Sequence, residues 1–429
     1  MAQVIWQELG AGEWIAESAG SKPSGYVHPL ALQALEEIGL PTVGLNSKSI
    51  DRFIDQPIEL AVTVCDHARE ACPVLSGAKQ TLHWPFEDPA DAVGTDEEKM
   101  KTFRIVRDQI KCKITEYLNQ PVFAEAARSD CFKLIEMALI EDIGANDLET
   151  GVDCTTDAIV PKHAQARAAF VSRDTGVVCG VEIAKLAIAK WAPDLSLEIE
   201  IEDGQTVAPQ QTIAVMAGSA HDILTMERTC LNFMCRLSGI SSLTRQYVQQ
   251  ISGSQACVLD TRKTTPGWRR LEKYAVACGG GRNHRMGLFD AIMIKDNHLA
   301  FYRTLVEDSD ETIPGSVKLA RQWIVDHQST LPRGERTVLQ LEVDTLEQFE
   351  TALKTDCDII LLDNMDIDQL RIAVEMRNKN APNILLEASG GVSLVTIGKI
   401  AQTGVERISV GALTHSAINF DIGLDWEIK

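Results

Sequence analysis

The stretch Leu259–His298, "LDTRKTTPGWRRLEKYAVACGGGRNHRMGLFDAIMIKDNH", decides how this chain is read. It gathers Arg262, Lys263, Arg269, Arg270, Lys273, Arg282, Arg285 and Lys295 against Asp260, Glu272, Asp290 and Asp296, although the 429-residue chain has a formal charge of −20. Two apolar runs in and beside it, "ACVLDTRK" and "DAIMIKDNH", end in these cations, and a helical pattern separates them. The same grammar recurs in "VLQLEVD", "CDIILLDN", "NILLEASGG" and "RISVGALTH", with helical stretches such as "DTLEQFETALK" and "SLVTIGKIAQTG" between some of them. Short apolar runs alternating with helices predict parallel strands joined by crossover helices. Six such runs between residues 256 and 413 predict a small α/β barrel rather than an open two-sided sheet. Such a barrel carries its chemistry at the carboxyl ends of its strands. Arg262, Lys263, Lys295, Glu342, Asp363, Ser389 and Gly411 all fall there.

A Lys/Arg-rich run is usually a solvated face, and Arg269, Arg270 and Lys273, on the intervening helix, are assigned to it. Arg262, Lys263 and Lys295 end strands instead. Gly279, Gly280 and Gly281 permit close backbone approach or positive φ just before Asn283, His284 and Arg285. Arg262, Arg285 and Lys295 suit charge-assisted bonds to carboxylate or phosphate. Glu342 and Asp363 suit hydroxyls or a magnesium ion, and the backbone of "EASGG" and "SVGAL" suits a phosphate. The implied ligand is a polyanion with hydroxyls, such as a sugar phosphate. His284 reads as a hydrogen-bonding residue rather than a general base, and His298 is left outside the site. Cys230 and Cys235 read as core thiols rather than metal ligands.

The length predicts two or three domains. A hydrophobic content of 45% with 24% charged residues is ordinary for a globular chain. No apolar run has membrane-spanning length, and "MAQVIWQELGAGEW" lacks the pattern of a secretion signal. Eleven cysteines without a compact framework suit reduced thiols in the cytoplasm. The acidic balance argues against nucleic acid or an anionic membrane as partner. A helical stretch, "EEKMKTFRIVRDQIKCKITEYL", stops before Pro121, so a domain boundary is expected near residue 120. "CFKLIEMALIEDI" predicts a helix, "AQARAAFVSRDTGVVCG" and "LSLEIEIEDGQTVAPQQTIAVMAG" predict strands, and a long helix carrying Glu227 and Arg228 follows from about Asp222 to Gln250. The expected domains are 1–120, 125–242 and 243–429, with the C-terminal tail able to return to the second.

From Glu125 onward the chain resembles the quinolinate phosphoribosyltransferase family. The motifs "ERTCLNFMCRLSGI", "DTRKTTPG", "EKYAV", "CGGG", "IKDNH", "LEVD", "ILLDN", "EASGG" and "VGALTHS" appear in the family's order. The resemblance implies an α/β sandwich followed by an open α/β barrel, in a homodimer or higher even oligomer with a shared active site. It implies transfer of phosphoribosyl from phosphoribosyl pyrophosphate to quinolinate, with loss of carbon dioxide, on the route to NAD and with magnesium assisting. By the same resemblance Arg262, His284 and Arg285 hold the quinolinate carboxylates, joined by Arg228 of the neighbouring subunit. Lys263 and Lys295 neutralise ligand charge at the reacting centre. Glu342 and Asp363 meet ribose hydroxyls and the magnesium-linked pyrophosphate, while Ser389, Gly390, Gly391 and Gly411 take the 5′-phosphate.

Residues 1–120 resemble a different family, the low-molecular-weight phosphotyrosine phosphatases, in their arsenate reductase branch. There the nucleophile sits in a C-x5-R phosphate loop that lowers its thiol pKa. Residues 1–120 contain no such loop, and Met1 falls where the family's first helix begins. Asp88 in "EDPA" matches the family's general acid. Cys65 and Cys72 match its thiol relay or are simply buried thiols. The domain is therefore expected to be a truncated, inactive α/β unit, and arsenate turnover with a thiol donor would overturn that. Two other readings stay open: a bifunctional fusion, if upstream codons supply the loop, and a non-catalytic binding protein.

Overall fold

The computed structural model describes residues 1–9, 15–21, 23, 25–54, 56–64, 77–118, 123, 125–145, 147–148, 150–333 and 337–426. They form two compact units, Met1–Gln120 and Pro121–Lys429.

In the first unit, β1 (Ile58–Thr63) and β2 (Ala78–His83) pair in parallel. Helices Ala2–Leu9, Pro29–Glu36 and Asp96–Leu118 accompany them. Asp96, Glu97 and Glu98 crowd the first turn of the last helix, where the helix dipole favours anions. Val4, Ile5, Trp6, Leu35, Trp84, Val106, Ile110 and Ile114 form the core. Asp88 is exposed and caps a short turn by accepting the Ala90 N–H at 2.9 Å. Cys65 and Cys72 lie outside the described residues.

In the second unit, β3 (Gln165–Ser172), β4 (Gly176–Val177), β5 (Ser196–Ile199), β6 (Thr206–Val207) and β7 (Thr212–Ser219) build the antiparallel part. The 31-residue helix Ala220–Gln250 follows, with Ile223, Met226, Phe233, Met234, Leu237 and Ile240 buried. Several of its small polar residues are buried too, with backbone partners for their hydroxyls. Ser238 Oγ accepts the Cys179 N–H at 2.9 Å, and Ser241 Oγ donates to Val177 O at 2.8 Å.

The six apolar runs are the six strands of one parallel sheet: β8 (Cys257–Leu259), β9 (Ile292–Ile294), β10 (Leu339–Val343), β11 (Ile359–Asp363), β12 (Leu385–Ser389) and β13 (Arg407–Ser409). Their order is β8-β13-β12-β11-β10-β9, so the barrel is open between β8 and β9, neighbours in sequence. The last strand, β14 (Ile422–Trp426), leaves the barrel and pairs antiparallel with β3, giving the order β14-β3-β7-β5.

The glycine run explains how the free edge of β8 is covered. Helix Arg269–Cys278 ends at Gly279, where a Cβ would sit 2.5 Å from Ser241 O. Gly280 has φ +91. The chain then turns along β8: Arg282 N donates to Val258 O at 2.8 Å, and Asp260 N to Arg282 O at 3.2 Å. This delivers Asn283, His284 and Arg285 to the barrel mouth.

Candidate active site

Side chains alternate along a strand, and registered neighbours in a parallel sheet point the same way. Glu342, Leu361, Glu387, Arg407 and Cys257 therefore form one row across five strands. Asp363 and Ser389 occupy the next level toward the carboxyl ends. Intervening residues such as Leu341, Ile360, Leu386 and Ile408 are fully buried on the other face.

Lys295, immediately after β9, forms an ion pair with Glu342 on β10. Arg285 is half-buried and donates from Nη1 to Ala291 O at 2.9 Å. Its pKa is pushed down by burial and by the neighbouring Arg262 charge, with Asp290 and Glu342 opposing. Arg262 and Lys263 are exposed and, among the described residues, make no side-chain ion pair. Thr414 Oγ1 donates to Lys263 O at 2.7 Å, and a Cβ on Gly411 would lie 3.2 Å from Lys263 Cδ. The loop after β8 is thus packed on the turn after β13. At the ends of β11 and β12, Asn364 (φ +55) donates from Nδ2 to Asp363 at 2.7 Å and from its backbone to Ser389 O at 2.9 Å.

Gly390 has φ +92, and a Cβ there would lie 2.6 Å from Asn364 Cγ and 2.8 Å from Asn364 N. Gly390→Ala should therefore cost about 1–3 kcal/mol through backbone strain, seen as a lower denaturant midpoint. Gly391→Ala shares the positive φ, at +59, but meets open space, so its loss should be smaller.

His284 turns into the fold. Nδ1 accepts the Arg285 N–H at 2.7 Å, and Nε2 lies 3.2 Å from Glu387 Oε1, an ion-pair distance off the line of a good hydrogen bond. Burial pushes Glu387 upward, but His284, Arg407 and Ser409 outweigh it and hold its carboxyl at about 2.

Lys273 corrects the sequence reading. It is not on the solvated surface but wholly buried and ion-paired with Asp260. Lys273 Nζ also donates to His284 O at 3.0 Å, and Asp260 Oδ1 accepts the His284 N–H at 2.8 Å. With its amide oriented to satisfy its neighbours, Asn283 donates to the other Asp260 oxygen at 2.7 Å. Arg269 is also more than surface: Nε donates to Thr264 Oγ1 at 3.0 Å and Nη1 to Met286 O at 3.2 Å, joining two mouth loops. Arg270 is half-exposed and pairs with Asp130 at 2.9 Å. Buried Glu272 accepts the Thr265 N–H at 3.1 Å and pairs with Arg236 at 3.0 Å.

Arg228 stands apart from this cluster. Its guanidinium is exposed, and among the described residues its ion pair is with Glu227, at 3.9 Å. His298 Nδ1 accepts the Lys295 N–H at 2.9 Å and caps a helix. Cys230 is buried and Cys235 partly so; the described residues hold no cluster of three or more metal-ligating side chains.

The second unit thus joins an antiparallel sheet to an open parallel barrel with cations and carboxylates at one mouth, the architecture of a phosphoribosyl-transferring enzyme. Residues 153–238 and 240–425 match the N- and C-terminal domains of quinolinate phosphoribosyl transferase. The carboxylating nicotinate-nucleotide pyrophosphorylase of Mycobacterium leprae is 40% identical over 281 residues, covering 65% of this chain and 93% of that one. The chloroplastic enzyme of Arabidopsis thaliana is 38% identical over 304 residues, covering 69% and 82%. The solved nicotinate-nucleotide pyrophosphorylase of Francisella tularensis superposes with a TM-score of 0.61 at 33% identity, covering 70% of this chain and 97% of that one. The chain belongs to the quinolinate phosphoribosyltransferase family. Residues 1–127 match low molecular weight phosphotyrosine protein phosphatase. Among the described residues no helix is long and apolar enough to cross a membrane.

Proposed function

We propose that the chain joins quinolinate to phosphoribosyl pyrophosphate, releasing pyrophosphate and carbon dioxide and forming nicotinate mononucleotide for NAD synthesis. What supports the reading most is the mouth itself: exposed Arg262 and Lys263 stand beside half-buried Arg285 and the Lys295–Glu342 pair. Two polyanions that repel each other in water need such a place to meet. Catalysis here is positioning plus fixed electrostatics.

In this reading Arg262, His284 and Arg285 hold the ring carboxylates, and Arg228 of a neighbouring subunit completes their cage in a homodimer or higher even oligomer. Lys263 and Lys295 neutralise charge at the reacting centre. Asp363 and Glu342 hold ribose hydroxyls, while Ser389, Gly390, Gly391 and Gly411 receive the 5′-phosphate. The pyridine nitrogen attacks the anomeric carbon as pyrophosphate leaves. The ring then becomes cationic and stabilises the electron pair left on carbon when carbon dioxide departs, and that carbon takes a proton from solvent to give nicotinate mononucleotide. Magnesium, when bound, supplies positive charge to the pyrophosphate. Glu342 and Asp363 offer two carboxylates, a donor set suited to a cation that shares its coordination with phosphate oxygens. Buried free thiols such as Cys131, Cys179 and Cys278 suit a reducing cytoplasm.

Incubation with quinolinate, phosphoribosyl pyrophosphate and magnesium should yield nicotinate mononucleotide and pyrophosphate in equal amounts. A folded preparation that gives no product from quinolinate, or gives it only from nicotinate, overturns the assignment.

A further inference from the structure

Glu387 has no task in the reaction as described. It is wholly buried on β12, at the level of Glu342, in a row with Leu361 and Arg407. Its carboxylate accepts from Arg407 Nε at 2.8 Å and from Ser409 Oγ, and it faces His284 Nε2 at 3.2 Å. Across the same imidazole, Nδ1 accepts the Arg285 N–H. A ring nitrogen that accepts an N–H carries no proton, so the ring proton resides on Nε2, the atom facing Glu387. The backbone of His284 is engaged as well, its N–H with Asp260 and its carbonyl with Lys273. Every polar atom of His284 thus faces a protein group.

We propose that Glu387 is a positioning residue for quinolinate recognition: it selects the Nε2–H tautomer of His284, whose Nδ1 holds the Arg285 N–H and so directs Arg285 toward the ligand. The proposal rests on the reaction assigned above. It keeps His284 on the quinolinate side of the site and adds what fixes its ring. The Nε2 contact is off-line in the free protein, and hydrogen bonds of a free active site often tighten only when substrate binds. A plain structural counterion for Arg407 would behave differently. Its loss would lower stability and disturb both substrates alike, whereas a support acting through His284 affects the quinolinate side.

The test compares Glu387→Gln, His284→Phe and the double variant. For Glu387→Gln, the KM for quinolinate should rise about 10-fold, on the scale of losing an outer support of a bound group, with little change in the KM for phosphoribosyl pyrophosphate. The double variant should match His284→Phe alone, since both changes act on one path. Equal shifts in both KM values, or additive effects, would overturn the proposal. Should Glu387→Gln fail to fold, Ser409→Ala removes one hydrogen bond from the same carboxylate and should shift the quinolinate KM in the same direction. Independently, ¹⁵N-histidine spectra of the unaltered protein should show Nε2–H for His284, assigned by its loss in His284→Phe. An Nδ1–H signal there refutes the proposal. Absence of nicotinate mononucleotide from the unaltered protein would instead remove the reaction, leaving the tautomer result to stand or fall separately.

Discussion

Lys273→Met should destabilise the second unit by about 3–5 kcal/mol, the scale of breaking a buried ion pair by removing one partner. Methionine keeps most of the side-chain volume, so the loss reports charge rather than a cavity. Asp260 would remain wholly buried, still accepting the His284 N–H but without its cation. The pH dependence follows from Asp260. Burial raises its carboxyl to about 6, with Lys273 opposing that rise. A carboxyl whose folded pKa lies above its unfolded one favours folding at low pH, and that contribution is lost as pH rises through the folded value. Without Lys273 the folded pKa rises further. The variant should therefore suffer less near pH 5, where Asp260 can take up a proton, than near pH 8, where it must stay charged. Adding Asp260→Asn should recover part of the loss at pH 8. Denaturant melts at both pH values measure this, and equal losses at pH 5 and 8 would place the defect elsewhere.

The same pair marks where the sequence stopped being readable. The barrel strands were legible because parallel strands are covered on both faces and so read as nearly continuous apolar runs. The polar residues ending those runs fell at the mouth for the same reason. Lys273 was misread because a lysine on a helix is ordinarily solvated. Yet "LEKYAVAC" carries Leu271, Tyr274, Ala275, Val276 and Cys278, all buried, which leaves no stripe wide enough to be a wet face. The burial of Glu272 and Lys273 was thus latent in the apolar crowding around them. Glu387 had a comparable signal. It is an acid inside the run "NILLEASGG", two residues from Ser389, and so on the inner face of a strand where a carboxylate requires partners. Which partners it has, His284, Arg407 and Ser409, depends on chain segments more than 20 residues apart in part, and no local pattern encodes them. Arg228 gave the opposite case: its exposed place on the long helix says nothing by itself about a ligand.

Arg285→Ala should reduce turnover by about 10²-fold or more, the scale of removing one preorganised charge-stabilising donor. Arg285 is half-buried, and both burial and the nearby Arg262 disfavour its charge. Two guanidiniums held within each other's field lower stability, and the folded chain gains nothing from their proximity alone. A dianionic ring acid reverses the balance, because each carboxylate then meets a cation already fixed in place. Removing Arg285 should therefore leave the thermal midpoint unchanged or slightly higher while activity collapses. Arg285→Lys should recover little, since an ammonium lacks the planar fork that grips a carboxylate with two parallel bonds. Comparing kcat/KM for quinolinate with the melting midpoint across these variants separates the two effects. A near-normal rate in Arg285→Ala removes the residue from the site. A collapse in stability with it would mean that the cation serves the fold, not the substrate.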